Sequence, residues 1–339
     1  MDTQWMIPTH GDPLGAVRGL VHTAWEKFDL QKMLVLSNGS AENTRAQIIA
    51  DPKELDKVNP FTPLMPLNGA KLIPDLMRNN PKARVGAMLR PCEMRALIEI
   101  IKRKEFDTNR LVTLCVDCLG TLPADEYQWR AERKGTSKAL AQETIQFARQ
   151  GGIVPYRYRS ACQMCISPKA ENADINVGIL GLPARQHIFI STKDSNIAEC
   201  LRNGGIPIDP KLLAQHQRVV SRMVTRTHNT RERITNGLAD FLPADVEALV
   251  DQLESCGDCQ VCLNTCPISA IDPPQRGEDG RYDRDGVARW LVSCSGCGMC
   301  EQSCPNHLPL SIIFGHIRDQ LAAEHNYIPG HSEDELLPI

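Results

Sequence analysis

Eight of the fourteen cysteines fall into two copies of one pattern, and nothing else in the chain limits its fold so tightly. CGDCQVCLNTCP carries Cys256, Cys259, Cys262 and Cys266, and CSGCGMCEQSCP carries Cys294, Cys297, Cys300 and Cys304. Each reads C-x2-C-x2-C-x3-C-P. Three thiolates at that spacing wrap three iron corners of a cubane cluster, while the cysteine before proline points away and reaches the cluster of the other copy. By this rule Cys256, Cys259, Cys262 and Cys304 hold one 4Fe-4S cluster, and Cys294, Cys297, Cys300 and Cys266 hold a second. Structural zinc also uses four cysteines with C-x2-C spacing. It needs neither the third cysteine at x2 nor a fourth before proline, and it does not need them in duplicate.

Six cysteines remain: Cys92 in RPCEMRAL, Cys115 and Cys118 in LVTLCVDCLGT, Cys162 and Cys165 in RSACQMCISP, and Cys200 in NIAECLRNGG. The C-x2-C at 162 and 165 supplies two thiolates, and two distant cysteines complete a third cubane. Spacing leaves open which two of Cys92, Cys115 and Cys118 these are, and zinc competes at this site. Cys200 has no sequence neighbour and reads as a buried small hydrophobe.

Composition narrows the setting. Lys and Arg number 38 against 41 Asp and Glu, for a formal charge of -3, which lacks the basic excess of a general nucleic-acid binder. No apolar run approaches the roughly 18 to 20 residues of a membrane-spanning helix. The start, MDTQWMIPTHGDPLGAV, has no basic n-region followed by an apolar h-region and a small-residue cleavage site. A cytoplasmic location is therefore expected, where thiols stay reduced and serve metals rather than disulfides.

With 339 residues, two to three domains are expected. Residues 1–195 alternate apolar strands (32–38, 83–89, 110–116, 187–192) with amphipathic helices, including one over 93–104. A strand, helix, strand order predicts a βαβ unit and an α/β sheet with its chemistry at the strand C-terminal ends, where Cys92, Cys115 and Cys118 fall. ADINVGILG, 173–181, follows the C-x2-C. Residues 196–241, polar and basic beyond Pro207 and Pro210, predict a helical linker of one or two helices with a solvated charged face. In 242–339, helices over 242–255 (Asp245 in its first turn), 285–293 and 308–325 flank the motifs, which predicts a mainly α-helical two-cluster ferredoxin domain. The tail NYIPGHSEDELLPI reads as an extended arm.

RVGAMLRPCEMRALIEI, DCLGT and ACQMC followed by ADINVG, taken in this order, resemble the motifs of the beta-subunit family of F420-reducing hydrogenase and formate dehydrogenase. The resemblance covers roughly residues 10–195. It implies a proximal 4Fe-4S cluster on Cys92, Cys118, Cys162 and Cys165, with Cys118 preferred to Cys115 because it stands two residues before the glycine of DCLGT. The sequence departs from the family in RPC, where a small residue commonly precedes Pro-Cys. The resemblance also implies a flavin, FAD, beside this cluster. The chain contains no G-x-G-x-x-G to support a dinucleotide independently. Asp174 and Gly178 in ADINVG are candidate flavin residues, with a plain turn after a metal loop as the competing reading.

Two functions follow. In the first, the chain is the electron-transfer (beta) subunit of a redox complex: an α/β flavin and iron-sulfur domain splits the electron pair of a two-electron carrier and three clusters pass it on singly. The partner is then a catalytic chain such as formate dehydrogenase alpha, a hydrogenase or a heterodisulfide-reductase-like subunit. In the second, the chain is a flavin-free relay adaptor with no substrate. Near the motifs, Trp290 reads as packing that shields a cluster, and His307 as an ordinary helix-start residue or a cluster-tuning donor. Arg90 reads either as facing a cofactor phosphate or as a surface ion pair.

Overall fold

In the computed structural model, residues 2–37, 44–103, 106–134, 137–150, 157–256 and 259–339 are described. Asn38 and Lys104, the last residues of one expected strand and one expected helix, lie outside them.

The strands are β1 (Thr3–Pro8), β2 (Lys32–Ser37), β3 (Arg45–Ile49), β4 (Val85–Leu89), β5 (Leu111–Val116), β6 (Ile175–Gly178) and β7 (His187–Thr192). They form one sheet in the order β1-β7-β6-β5-β4-β2-β3. Strands β2, β4, β5 and β6 run parallel, β3 and β7 pair antiparallel with β2 and β6, and β1 pairs antiparallel with β7. Every residue of β4 (VGAML) and β5 (LVTLCV) is buried, as expected of parallel strands covered on both faces. The α/β expectation is met by a mixed sheet. The two edge strands absent from the expectation, β1 and β3, are TQWMIP and RAQII. Both are short, and neither carries a long apolar run.

One face of the sheet is covered by the helix Pro13–Lys27, whose Val17, Leu20, Val21 and Ala24 pack onto β2 and β7 residues. The other face receives the helix Pro91–Lys102, and here the C-terminal third joins. Leu97, Ile98 and Ile100 share one apolar cluster with Leu249 and Val250 of helix Val246–Ser255, Trp290 and Leu291 of helix Arg284–Val292, and Phe314 and Ile317 of helix Leu310–His325. The helices of 242–339 are thus built onto the sheet's own core. Asp245 is the N-cap of its helix rather than part of its first turn, with its side chain accepting from the Ala248 N–H at 2.8 Å.

Residues 196–241 contain two helices, Ser195–Leu201 and Pro210–Gly237. The longer one buries His216, Val219 and Met223, the last two against Leu180 just past β6. Among the described residues no helix is long and apolar enough to cross a membrane.

The tail is docked, contrary to the extended arm expected of it. Glu99 and Lys102, fully buried on the helix Pro91–Lys102, form its anchor. The Tyr327 hydroxyl donates to Glu99 at 2.7 Å, and so does the Gly330 N–H. Lys102 Nζ lies 3.1 Å from Glu99 and 3.5 Å from Glu335. Breaking a buried pair leaves an uncompensated charge. Glu99→Ala is expected to cost about 3 kcal/mol by chemical denaturation and to open the segment beyond Tyr327 to protease; an unchanged midpoint and cleavage pattern would disprove the anchor.

Candidate metal centres

The first thiol set lies at the C-terminal ends of the parallel strands. Cys92 follows β4 as the second residue of the helix Pro91–Lys102, whose start is fixed by Glu93 accepting from the Arg90 and Gly69 N–H groups at 2.8 and 2.9 Å. Cys118 follows β5. Its loop is organised by the neighbouring buried Asp117, which accepts from the N–H groups of Ala170, Ile179 and Leu180 at 2.7, 2.8 and 3.0 Å. Cys162 and Cys165 sit on and just after the short helix Ser160–Gln163. Cys92, Cys118, Cys162 and Cys165 line one cavity of about 130 Å³, which Cys297 of the second motif also reaches.

The C-terminal motifs interlock. Cys256, Cys259 and Cys262 line a space of about 60 Å³ together with Cys304, the last cysteine of the other motif. Cys266, the last of the first motif, lies within electrostatic reach of Cys294 and Cys297, and Cys300 within reach of Cys294, Cys297 and Cys266. The structure thus gathers the first four thiols at one cavity, sets Cys304 beside Cys256, Cys259 and Cys262, and brings Cys266 near Cys294 and Cys297. Cys115 is elsewhere: fully buried on β5, within the core shared with the C-terminal helices. Cys200 packs against the apolar core on the opposite face.

The thiols crowd one another in dry surroundings. Burial pushes Cys118 up to about 12, with Cys162 and Cys165 adding to the rise and Arg90 opposing it. Burial raises Cys92 and Cys300 well above the ordinary thiol range, and their neighbouring cysteines add to it. Burial and the same crowding raise Cys266 to about 11 against a hydrogen bond from Trp290. Cys162 is the exception: burial favours its neutral form, yet Arg159 and hydrogen bonds from Thr121 outweigh it and hold the thiol below its ordinary value. The raised thiols, Cys92, Cys118, Cys266 and Cys300, resist ionising, and thiolate ligation of a metal removes that conflict. Zinc would draw four thiolates onto one ion at about 2.3 Å each, whereas a cluster spreads its four thiolates over separate corners. The donor sets fit iron-sulfur cubanes.

Several residues differ from their expected roles. Arg90 is buried and donates to the carbonyls of Thr62 and Leu64 at 2.8 and 2.6 Å, so it is neither a surface ion pair nor free for a phosphate. Trp290 is packed as expected, edge-on to Phe314 at 4.9 Å, and its Nε1–H also points at Cys266 Sγ, 3.2 Å away. His307 is exposed in a left-handed conformation (φ 52°) ahead of the helix Leu310–His325. Asp174 and Gly178 stand at opposite ends of β6. Asp174 accepts from the Thr113 N–H and hydroxyl, both at 2.7 Å, and Gly178 faces Phe189, Asp117 and His216.

Sequence reasoning missed three residues. Asp117 organises the Cys118 loop. Arg95 ties the two halves together by donating to the Ser167 and Ser295 carbonyls at 3.2 and 3.0 Å. Arg159, three residues before Cys162, is buried beside the thiols. A cation spaced three before a motif cysteine was the only signal for the last.

Residues 252–308 match the 4Fe-4S dicluster domain family. The class so defined is an iron-sulfur protein with a dicluster module after a mixed α/β sheet. The whole chain is similar to the F420-dependent formate dehydrogenase subunit beta of Methanocaldococcus jannaschii, 20% identical over 368 aligned positions that cover 96% of this chain and 93% of that one. It is also similar to the acetyl-CoA decarbonylase/synthase complex subunit alpha 1 of Methanosarcina mazei, 25% identical over 318 positions and 90% of this chain, but spanning only 35% of that relative's length. A chain of the F420-reducing NiFe hydrogenase complex from Methanosarcina barkeri aligns with a TM-score of 0.48 at 13% identity, covering 69% of this chain and 91% of that one. The resemblance carried by the N-terminal motifs stands beside these matches: the chain carries an iron-sulfur dicluster domain and is similar over most of its length to the formate dehydrogenase beta subunit.

Asp117→Ala is expected to lose about 3 kcal/mol in urea denaturation, because three buried N–H groups would lack their acceptor. A loss below about 1 kcal/mol would show that Asp117 does not organise the loop.

Proposed function

We propose that the chain is the electron-transfer subunit of an oxidoreductase complex and carries three 4Fe-4S clusters in a row. Cys92, Cys118, Cys162 and Cys165 hold the first, Cys294, Cys297, Cys300 and Cys266 the second, and Cys256, Cys259, Cys262 and Cys304 the third. The observation that supports this reading is adjacency. Cys297 reaches the cavity of the first set, and Cys300 lies within electrostatic reach of Cys262 of the third, so the second set stands between its neighbours. A cubane supplies one-electron chemistry when bound. The protein's part is to keep the sites dry and in line. Trp290 and Phe314 seal the second set, and Arg95 fixes the Cys165 loop against the Cys294 loop. Cys259 is exposed, which makes the third set the end that meets a partner. That partner is a catalytic redox subunit of the formate dehydrogenase or hydrogenase kind, as the relatives suggest.

The flavin implied by resemblance fits less well. The cavity flanked by Gly120, Tyr158 and Met223, about 130 Å³, is the one the first thiol set itself lines, and the neighbouring space of about 240 Å³ by Cys165, Arg95, Arg231 and Arg318 is also below the roughly 300 Å³ at which small-molecule sites begin. A larger space of about 500 Å³ includes Asp174 but also Asp194, Glu333 and Asp334, whose charge opposes a pyrophosphate. We derive no step through a flavin, and these dimensions favour the relay without one as the second reading.

Protein purified without oxygen is expected to hold about twelve iron atoms per chain and to give an electron paramagnetic resonance signal after dithionite reduction. Cys118→Ala should lose about four of them and Cys115→Ala none. A colourless, iron-free protein would end this reading, and yellow flavin released by acid would restore the flavin-bearing form.

A further inference from the structure

Arg159 occupies an unusual position for a cation. Its guanidinium is buried, and the groups it touches come from both halves of the molecule. Nε donates to Thr121 Oγ1 at 2.8 Å and Nη2 lies 3.8 Å from Cys162 Sγ, on the side of the first thiol set. Nη1 donates to Gln302 Oε1 at 3.0 Å and lies 3.4 Å from Met299 Sδ, within the second motif. Met65 Sδ, at 3.1 Å, completes the shell. Thr121, Gln302, Met299 and Met65 are all neutral. Among the described residues no carboxylate pairs with this guanidinium, and the groups that favour its charge are Cys162 and Cys92 of the first set and Cys297 of the second.

A buried cation needs a counter-charge. Among the described residues the candidates are the sulfurs Cys162 and Cys92 of the first set and Cys297 of the second. We propose that Arg159 is a positioning charge shared by the first and second centres, one guanidinium that raises the electron affinity of both together. This rests on the three-cluster reading above. An added electron makes the thiolate-ligated centre one unit more negative, and a fixed cation in dry surroundings favours that state. Because the same charge serves both sides, the two centres stay matched, and transfer between them is not uphill by the full effect of a one-sided cation. Other arginines also bear on these sulfurs. Arg318 hydrogen-bonds Cys294 and faces Cys165, but it is paired with Asp319 at 2.8 Å, and Arg95 is bound to two backbone carbonyls; Arg159 differs in having no carboxylate partner among the described residues.

The test is a dye-mediated redox titration of the anaerobic full-length chain, followed by electron paramagnetic resonance, after iron analysis of each preparation. Three one-electron steps are expected in the wild type. In Arg159→Gln, two of the three should move to more negative potential by about tenfold in the equilibrium constant, about 59 mV, while the third stays. Arg159→Lys should restore most of the shift. Gln302→Glu sets a carboxylate against the intact guanidinium and should move the same two steps in the same direction. This decides the matter if Arg159→Gln loses iron or fails to fold. A shift of one step alone, no shift, or a lysine variant that behaves as the glutamine one would overturn the shared charge. Fewer than three steps with correspondingly low iron in the wild type would instead overturn the three-cluster reading, and the proposal with it.

Discussion

The arrangement depends on one apolar contact, the packing of the helix Pro91–Lys102 against the three helices that frame the duplicated motifs. Leu97 and Ile100 on one side and Trp290, Leu291 and Phe314 on the other are almost wholly buried in a single cluster. At about 25 cal/mol per Å² of apolar surface, side chains of this size contribute on the order of 2 kcal/mol each when removed from water. That contact fixes where Cys92 stands relative to Cys294 and Cys297. The hydrogen-bonded bridges made by Arg95, Arg159 and the Glu99 anchor then refine a geometry that burial has already set.

The thiols are positioned at a cost that the fold alone does not recover. Burial and mutual proximity raise most of them above the ordinary thiol range. Burial therefore favours protonated sulfur at these positions, and loading a metal must displace those protons. Where a thiol is held in readiness, as at Cys162, an arginine and the Thr121 donors are responsible. Metal loading and the final packing of the loops are on this account one process.

Much of this was legible in the sequence, and for definite reasons. Thiolate spacing is dictated by cluster geometry, so the pairing of Cys304 with the first motif and Cys266 with the second could be read before any coordinates. The structure places those thiols side by side. Strands β2, β4, β5 and β7 were visible because they are continuous apolar runs, and β1 and β3 were not because edge strands need bury only part of their length. The choice of Cys118 over Cys115 required the resemblance, since Cys115 at the end of β5 and Cys118 just past it fall at the same sheet edge. The structure separates them by burial, with Cys115 facing the core. Arg159, Arg95 and Asp117 were hidden because their roles consist of contacts between segments far apart in sequence. The docked tail was hidden for the same reason: nothing in NYIPGHSEDELLPI announces that Glu99 waits for Tyr327.

Gly298 sits inside the second motif at φ 70°, and a β-carbon there would lie 2.4 Å from the β-carbon of Ala161, beside Cys162. The two motif-bearing loops therefore touch backbone to side chain at a point where even one methyl group would act as a shim. Electron tunnelling falls off exponentially with the gap it must cross. In the proposed relay, the missing carbon at this position would serve as a spacer of zero thickness, setting how fast charge hops between the halves of the molecule without touching the chemistry of either.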